Sequence, residues 1–83
     1  MQGKRVEWNA QILNPGEYSK CDVVWFCCSP NGFMGNLIKH NVVEHEDGTI
    51  TVTPSILITI NNSKGVKEEL WHGYLEKGTW REC

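Results

Sequence analysis

The residues in this chain that could do chemistry are four cysteines and three histidines: Cys21, Cys27, Cys28 and Cys83, with His40, His45 and His72. Thiolate and imidazole together are the usual ligands of a structural zinc, and a thiol beside a basic imidazole can act as a nucleophile. Cys27 and Cys28 are adjacent in a strand-like run, so their side chains point to opposite faces and only one can join a given site. Cys28 immediately precedes the turn Ser29-Pro30-Asn31-Gly32, where a zinc knuckle would place a second cysteine about three residues on. Asn31 stands there instead, and an amide is a poor zinc ligand. Late in the chain His72 precedes a tight turn and Cys83 follows it, so a hairpin would bring the two to one end of a sheet. Cys28, His72 and Cys83 are therefore the set that a structural zinc would take, filling in for a missing core. The competing reading has no cofactor, with buried free cysteines acting as small apolar residues and a hydrogen-bonded histidine. His40 and His45 read as surface residues.

The same residues give catalysis little support. Cys28 and His72 could supply a nucleophile and a base, but nothing supplies the third, orienting group. The carboxylates are scattered over turns and no glycine loop is built to cradle phosphate. The chain reads as a non-enzyme.

The elements that must position these residues are strands. With 83 residues there is room for a single domain, residues 1–83, whose small core would benefit from a staple. Turn signals recur at short intervals: Asn14-Pro15-Gly16, Ser29-Pro30-Asn31-Gly32, Glu46-Asp47-Gly48-Thr49, Asn61-Asn62-Ser63-Lys64-Gly65 and Glu76-Lys77-Gly78. Short apolar segments lie between them. This pattern predicts an all-β domain, a small antiparallel β-sandwich or open barrel of about five to seven short strands. Val23 to Cys28 is a continuous apolar run, as expected of a strand covered on both faces. Leu37 to Val43 and Ile50 to Ile60 are rich in β-branched residues, which favour a pleated surface. Pro54 lacks an N–H and is expected to split the second of these into two strands, with Ile56, Ile58 and Ile60 sharing a face of the later piece. Asp47-Gly48 and Lys77-Gly78 predict hairpins, the latter joining Glu69–Leu75 to Thr79–Glu82. Lys64 to Leu70 has room for one or two helical turns, too few to stand alone.

Charge narrows the partners. The formal net charge is −2 and the longest basic run is Lys4-Arg5, which leaves no concentrated basic face for nucleic acid or an anionic membrane. A nucleic-acid-binding β-barrel would need a basic aromatic face that this composition lacks. No segment approaches a membrane span and the amino terminus has no apolar leader core, so a reducing cytoplasm with free thiols is expected. Four tryptophans are many for this length. Trp25 belongs to the apolar run and is expected in the core. Trp8, Trp71 and Trp80 lie among charged neighbours, where a large aromatic side chain suits a contact with a partner protein, although a small β-domain also uses tryptophan simply to fill its core.

Three segments also carry a resemblance: Phe26-Cys27-Cys28-Ser29-Pro30-Asn31-Gly32, Val52-Thr53-Pro54-Ser55-Ile56-Leu57-Ile58, and Trp71 to Cys83. In order and content they resemble an uncharacterised family of short phage and prophage proteins, often mislabelled ammonia monooxygenases, whose relatives occur beside bacterial ubiquitin-like conjugation genes. That family's pattern is Cys-Pro-x-Cys-Gly, then Pro-Ser-Ile or Pro-Ser-Leu, then Cys-His-x-Phe-Val-x-x-Gly and a final Cys. The resemblance covers most of the chain from Phe26 onward. It implies that Cys28, His72 and Cys83 correspond to a cysteine, the histidine and the last cysteine of the family. Asn31 and Trp71 stand where two further cysteines belong, so a cluster would need Cys27, Cys21 or His45 as substitutes, or its role has passed to packing. It further implies a phage-encoded accessory protein in the host cytoplasm that binds a host or phage protein, with inhibition of a bacterial defence or conjugation system as its purpose.

Overall fold

The computed structural model describes residues 1–9 and 12–83. Its elements are eight strands: β1 (Lys4–Arg5), β2 (Glu17–Cys21), β3 (Val24–Cys28), β4 (Met34–Asn36), β5 (Asn41–Glu44), β6 (Ile50–Asn61), β7 (Lys67–Glu76) and β8 (Thr79–Glu82). The first four form one sheet in chain order and the last four another, and neither closes into a barrel. The all-β expectation holds, with two corrections. There are eight strands among the described residues, and the first sheet is mixed because β1 runs parallel to β2, pairing Lys4 with Glu17 and Arg5 with Tyr18. No helix among the described residues is long and apolar enough to cross a membrane.

Both expected hairpins form. Lys77 and Gly78 adopt φ of 47° and 77°, the pair of positive values that a two-residue hairpin turn requires. Between β5 and β6 only Gly48 is left-handed, at 87°. That loop is closed by the Gly48 N–H on the His45 carbonyl (3.0 Å) and the His45 N–H on the Thr49 carbonyl (2.8 Å). Lys64 to Leu70 contains no helix. Asn62 turns the chain there instead, its Oδ1 accepting from the N–H groups of Lys64 (2.9 Å) and Val66 (3.0 Å).

Three strand expectations need adjustment. Leu37 does not begin a strand: its N–H bonds the Trp25 carbonyl (2.9 Å), its side chain drops into the core, and a turn carries the chain to Asn41. Pro54 does not end a strand either. β5 pairs with β6 only as far as Thr53, and β7 pairs with no residue between Val52 and Ile56, so the missing N–H of Pro54 removes no ladder bond. β6 instead continues through an irregularity, four of its residues spanning what two residues of β7 span between the pairs Val52–Leu75 and Ile56–Gly73. Finally, the outer side of β3 is covered by aromatic stacking and not by a third layer. Trp8 lies on Phe26 with ring centroids 4.6 Å apart and planes 19° from parallel.

One hydrophobic cluster lies between the sheets. Tyr18, Trp25, Cys27 and Leu37 come from the first half of the chain, and Ile50, Val52, Ile56, Ile58, Trp71, Leu75 and Trp80 from the second. Each fully buried aliphatic side chain in such a cluster contributes about 1.5–3 kcal/mol. Trp80 ties the halves together. Its ring meets Trp71 edge to face at 5.4 Å, and its indole N–H donates to the Gly16 carbonyl at 2.9 Å. Gly73 makes this packing possible, since a β-carbon there would run into the Trp71 ring and the Arg81 carbonyl.

Candidate functional site

Cys28, His72 and Cys83 are not gathered into one site. Cys28 ends β3 in the first sheet and is buried, whereas His72 is half-buried on β7 of the second. Cys83 does reach His72 along the backbone, its N–H donating to the His72 carbonyl at 3.0 Å, but it is exposed. Among the described residues, no three His, Cys, Asp or Glu side chains are grouped so that they could hold a metal ion. The substitutes do not complete a set: Cys27 is in the core, Cys21 ends β2, and His45 bonds Thr51 Oγ1 at 2.7 Å. Burial, with Cys28 beside it, pushes the Cys27 thiol from 9.0 up to about 12. Burial and then the nearby Glu17 carboxylate also push Cys28 up. Thiols sealed in this way behave as small apolar residues.

The partner of His72 is a residue that cysteine spacing gave no reason to single out. Ser55 Oγ lies 2.8 Å from His72 Nε2, and the Glu69 carboxylate lies 3.9 Å from Nδ1. The order serine, imidazole, carboxylate is that of a hydrolytic triad. The last separation is too long for a hydrogen bond, and Glu69 is 62% exposed, so the imidazole is not held by its carboxylate. The pair instead supports the β6 irregularity, where the Ser55 carbonyl also accepts from His40 Nε2 at 3.2 Å. Because a carbonyl only accepts, His40 carries its proton on Nε2, which leaves Nδ1 buried without a partner. His40 and His45 are thus half-buried and bonded within the fold, a correction to their reading as surface residues.

Asn31 has a clear structural task. Its Nδ2 donates to the Leu70 carbonyl at 3.0 Å, and Ser29 Oγ donates to its Oδ1. Leu70 is the extra residue where β7 bulges, since Ile58 pairs with Trp71 and Thr59 with Glu69. The loop after Cys28 therefore does lie against the segment before His72. Asn31 makes that junction, and the adjoining Trp71 packs into the core.

The tryptophan expectation divides. Trp71 and Trp80 are 4% and 3% exposed, so as folded neither can anchor a partner; Arg81 points away from Trp80 by strand alternation, and the bulge at Leu70 sets Glu69 on the face opposite Trp71. Trp8 is partly exposed on its Phe26 stack. The concave apolar surface lies elsewhere, at the mouth between the sheets. A groove of about 430 Å³ is lined by Val24, Trp25, Leu37 and Val42, with Lys20 and His40 beside them. Val23 and Ile38, 80% and 67% exposed, stand at its rim. Arg5 and Lys20 both lie over the Trp25 ring, at 5.0 and 5.7 Å from its centroid, and both pair with Glu44, at 2.8 and 3.8 Å. The Arg5 hydrogen bond holds the Glu44 carboxyl below its ordinary value. Both rim residues fall in runs that read as strands, Val23 opening the apolar run and Ile38 within the β-branched run, but each lies in a turn, before β3 and after β4. Comparison with protein-family models, with curated proteins and with solved structures gives no match to this chain.

Proposed function

We propose that this protein is a non-enzymatic accessory protein that acts by binding another protein, and that the groove between Val23 and Ile38 is where it does so. The observation that carries this reading is the pair of aliphatic side chains left in water at the rim of an apolar groove over Trp25. Such exposure costs solvation free energy that a docked partner would recover. The partner's anchor would be an aliphatic or aromatic side chain, and the Lys20 ammonium suits an acidic neighbour to that anchor. The resemblance to short phage and prophage proteins adds a setting, the host bacterial cytoplasm, and a partner class, a host or phage protein of a defence or conjugation system.

The test is a pull-down from bacterial lysate with the wild-type chain and with Val23→Lys and Ile38→Lys as bait. The expected outcome is a protein retained by the wild type and lost by both variants, with unchanged melting temperatures. Retention of nothing above background, or of the same proteins by all three baits, would remove this reading.

A further inference from the structure

The hydrogen bonds fix which backbone groups of β6 face away from β7. The Ser55 carbonyl accepts from His40 on the outer side, and the Asn62 N–H donates to the Val66 carbonyl across the hairpin. Backbone groups alternate along an antiparallel strand, so Leu57, Thr59 and Asn61 turn their N–H and C=O groups outward, along the line that β5 leaves free when its pairing stops at Thr53. The bulge beside this stretch has its extra residue, Leu70, on β7, so the β6 edge itself stays regular. Exposed strand edges are ordinarily blunted by charge, proline or a bulge in the edge strand. Here residues 57–61 read Leu-Ile-Thr-Ile-Asn with no charge, and Leu57 and Ile60 are 50% and 51% exposed.

We infer that this edge pairs with the same edge of a second copy, β6 running antiparallel to β6 across a two-fold axis at Thr59. The register follows from what is free. Centring on Leu57 would set Thr59 against the partner's Ser55, whose carbonyl His40 already holds. Centring on Thr59 pairs Leu57 with the partner's Asn61 and confines the ladder to the outward-facing residues. On the inner face Ile58 and Ile60 then meet the partner's Ile60 and Ile58, which covers the half-exposed Ile60. An uncharged segment lets two chains of net charge −2 approach here without like charges directly opposed. The two second sheets become one sheet of eight strands.

This inference is independent of the groove, which lies on other residues. Sedimentation velocity of the full chain, from low micromolar to millimolar concentration, should show the mass rising from one chain to two. Thr59→Pro removes an N–H that makes no bond to β7, and Ile60→Lys adds a charge at the seam. Each should weaken association by at least about tenfold while the circular-dichroism spectrum keeps its β form. Under mild oxidation, Thr59→Cys should cross-link as a dimer to a greater extent than the wild-type chain, whose exposed Cys83 sets the background. A single-chain mass at every concentration overturns the inference. So does a dimer that survives both Thr59→Pro and Ile60→Lys.

Discussion

The two ends of one face of β6 are made of the same kind of residue and meet opposite fates. Ile50 and Val52 are 0% exposed, held between β5 and β7 and covered by the first sheet, whereas Ile60, on the same face as the buried Ile56 and Ile58 but beyond them, stands half in water. At about 3.3 Å per residue the strand is about 40 Å long, close to the 44 Å long axis of the molecule. The first sheet is too short to cover all of it. β-branched composition therefore makes the strand, and cover decides whether that strand is core or surface.

The contrast between covered and open regions can be broken most sharply at alkaline pH. Cys27 sits wholly in the covered region and its folded thiol titrates near 12, against an ordinary 9.0. A raised folded value means that the native state holds its proton where the unfolded chain has lost it. The stabilisation is complete below pH 9 and is lost steadily as pH rises towards 12. Denaturant midpoints measured across that window should fall, and fall less in Cys27→Ala once its own lower starting stability is subtracted. A flat profile would mean that the thiol is not sealed.

A smaller and more local effect should separate two isoleucines on the same face of β6. Ile58→Ala removes a side chain of the shared cluster and is expected to cost about 2–5 kcal/mol in chemical denaturation. Ile60→Ala, at dilutions where the chain is monomeric, should stay within about 0.5 kcal/mol. Equal losses would show that the far half of the ribbon is covered after all.

A loss between those of the two isoleucines is expected at the joint between the sheets. Asn31→Ala deletes the hydrogen bond to the Leu70 carbonyl, and since water can replace it the expected loss is about 0.5–1.5 kcal/mol. Hydrogen exchange should quicken around Leu70 and Trp71 more than in β2. An unchanged exchange pattern would demote Asn31 to a bystander.

Much of this was readable in the chain. The hairpins at Asp47-Gly48 and Lys77-Gly78, the strand ending at Cys28 and the core position of Trp25 follow from turn chemistry and apolar patterning, which are local properties, whereas of Ile56, Ile58 and Ile60, read together in one strand, only the first two are buried. The site was less readable. Cysteine and histidine types suggested Cys28 with His72, but a strand crossing cannot be counted from spacing, and the imidazole went to Ser55. Trp71 and Trp80 looked available because their neighbours are charged, yet alternation turns Arg81, and the bulge at Leu70 turns Glu69, to the opposite face.

The amino-acid sequence by itself determined that this chain is built of strands, where most of its turns fall and which faces are apolar, because glycine conformation and side-chain alternation act within a few residues. Only the tertiary structure decided the rest: that Cys28 and His72 lie in different sheets, that Asn31 joins them, and that one end of β6 is buried while the other keeps an open edge. Those outcomes depend on how far one sheet extends over another, a matter of contacts between residues distant in the chain.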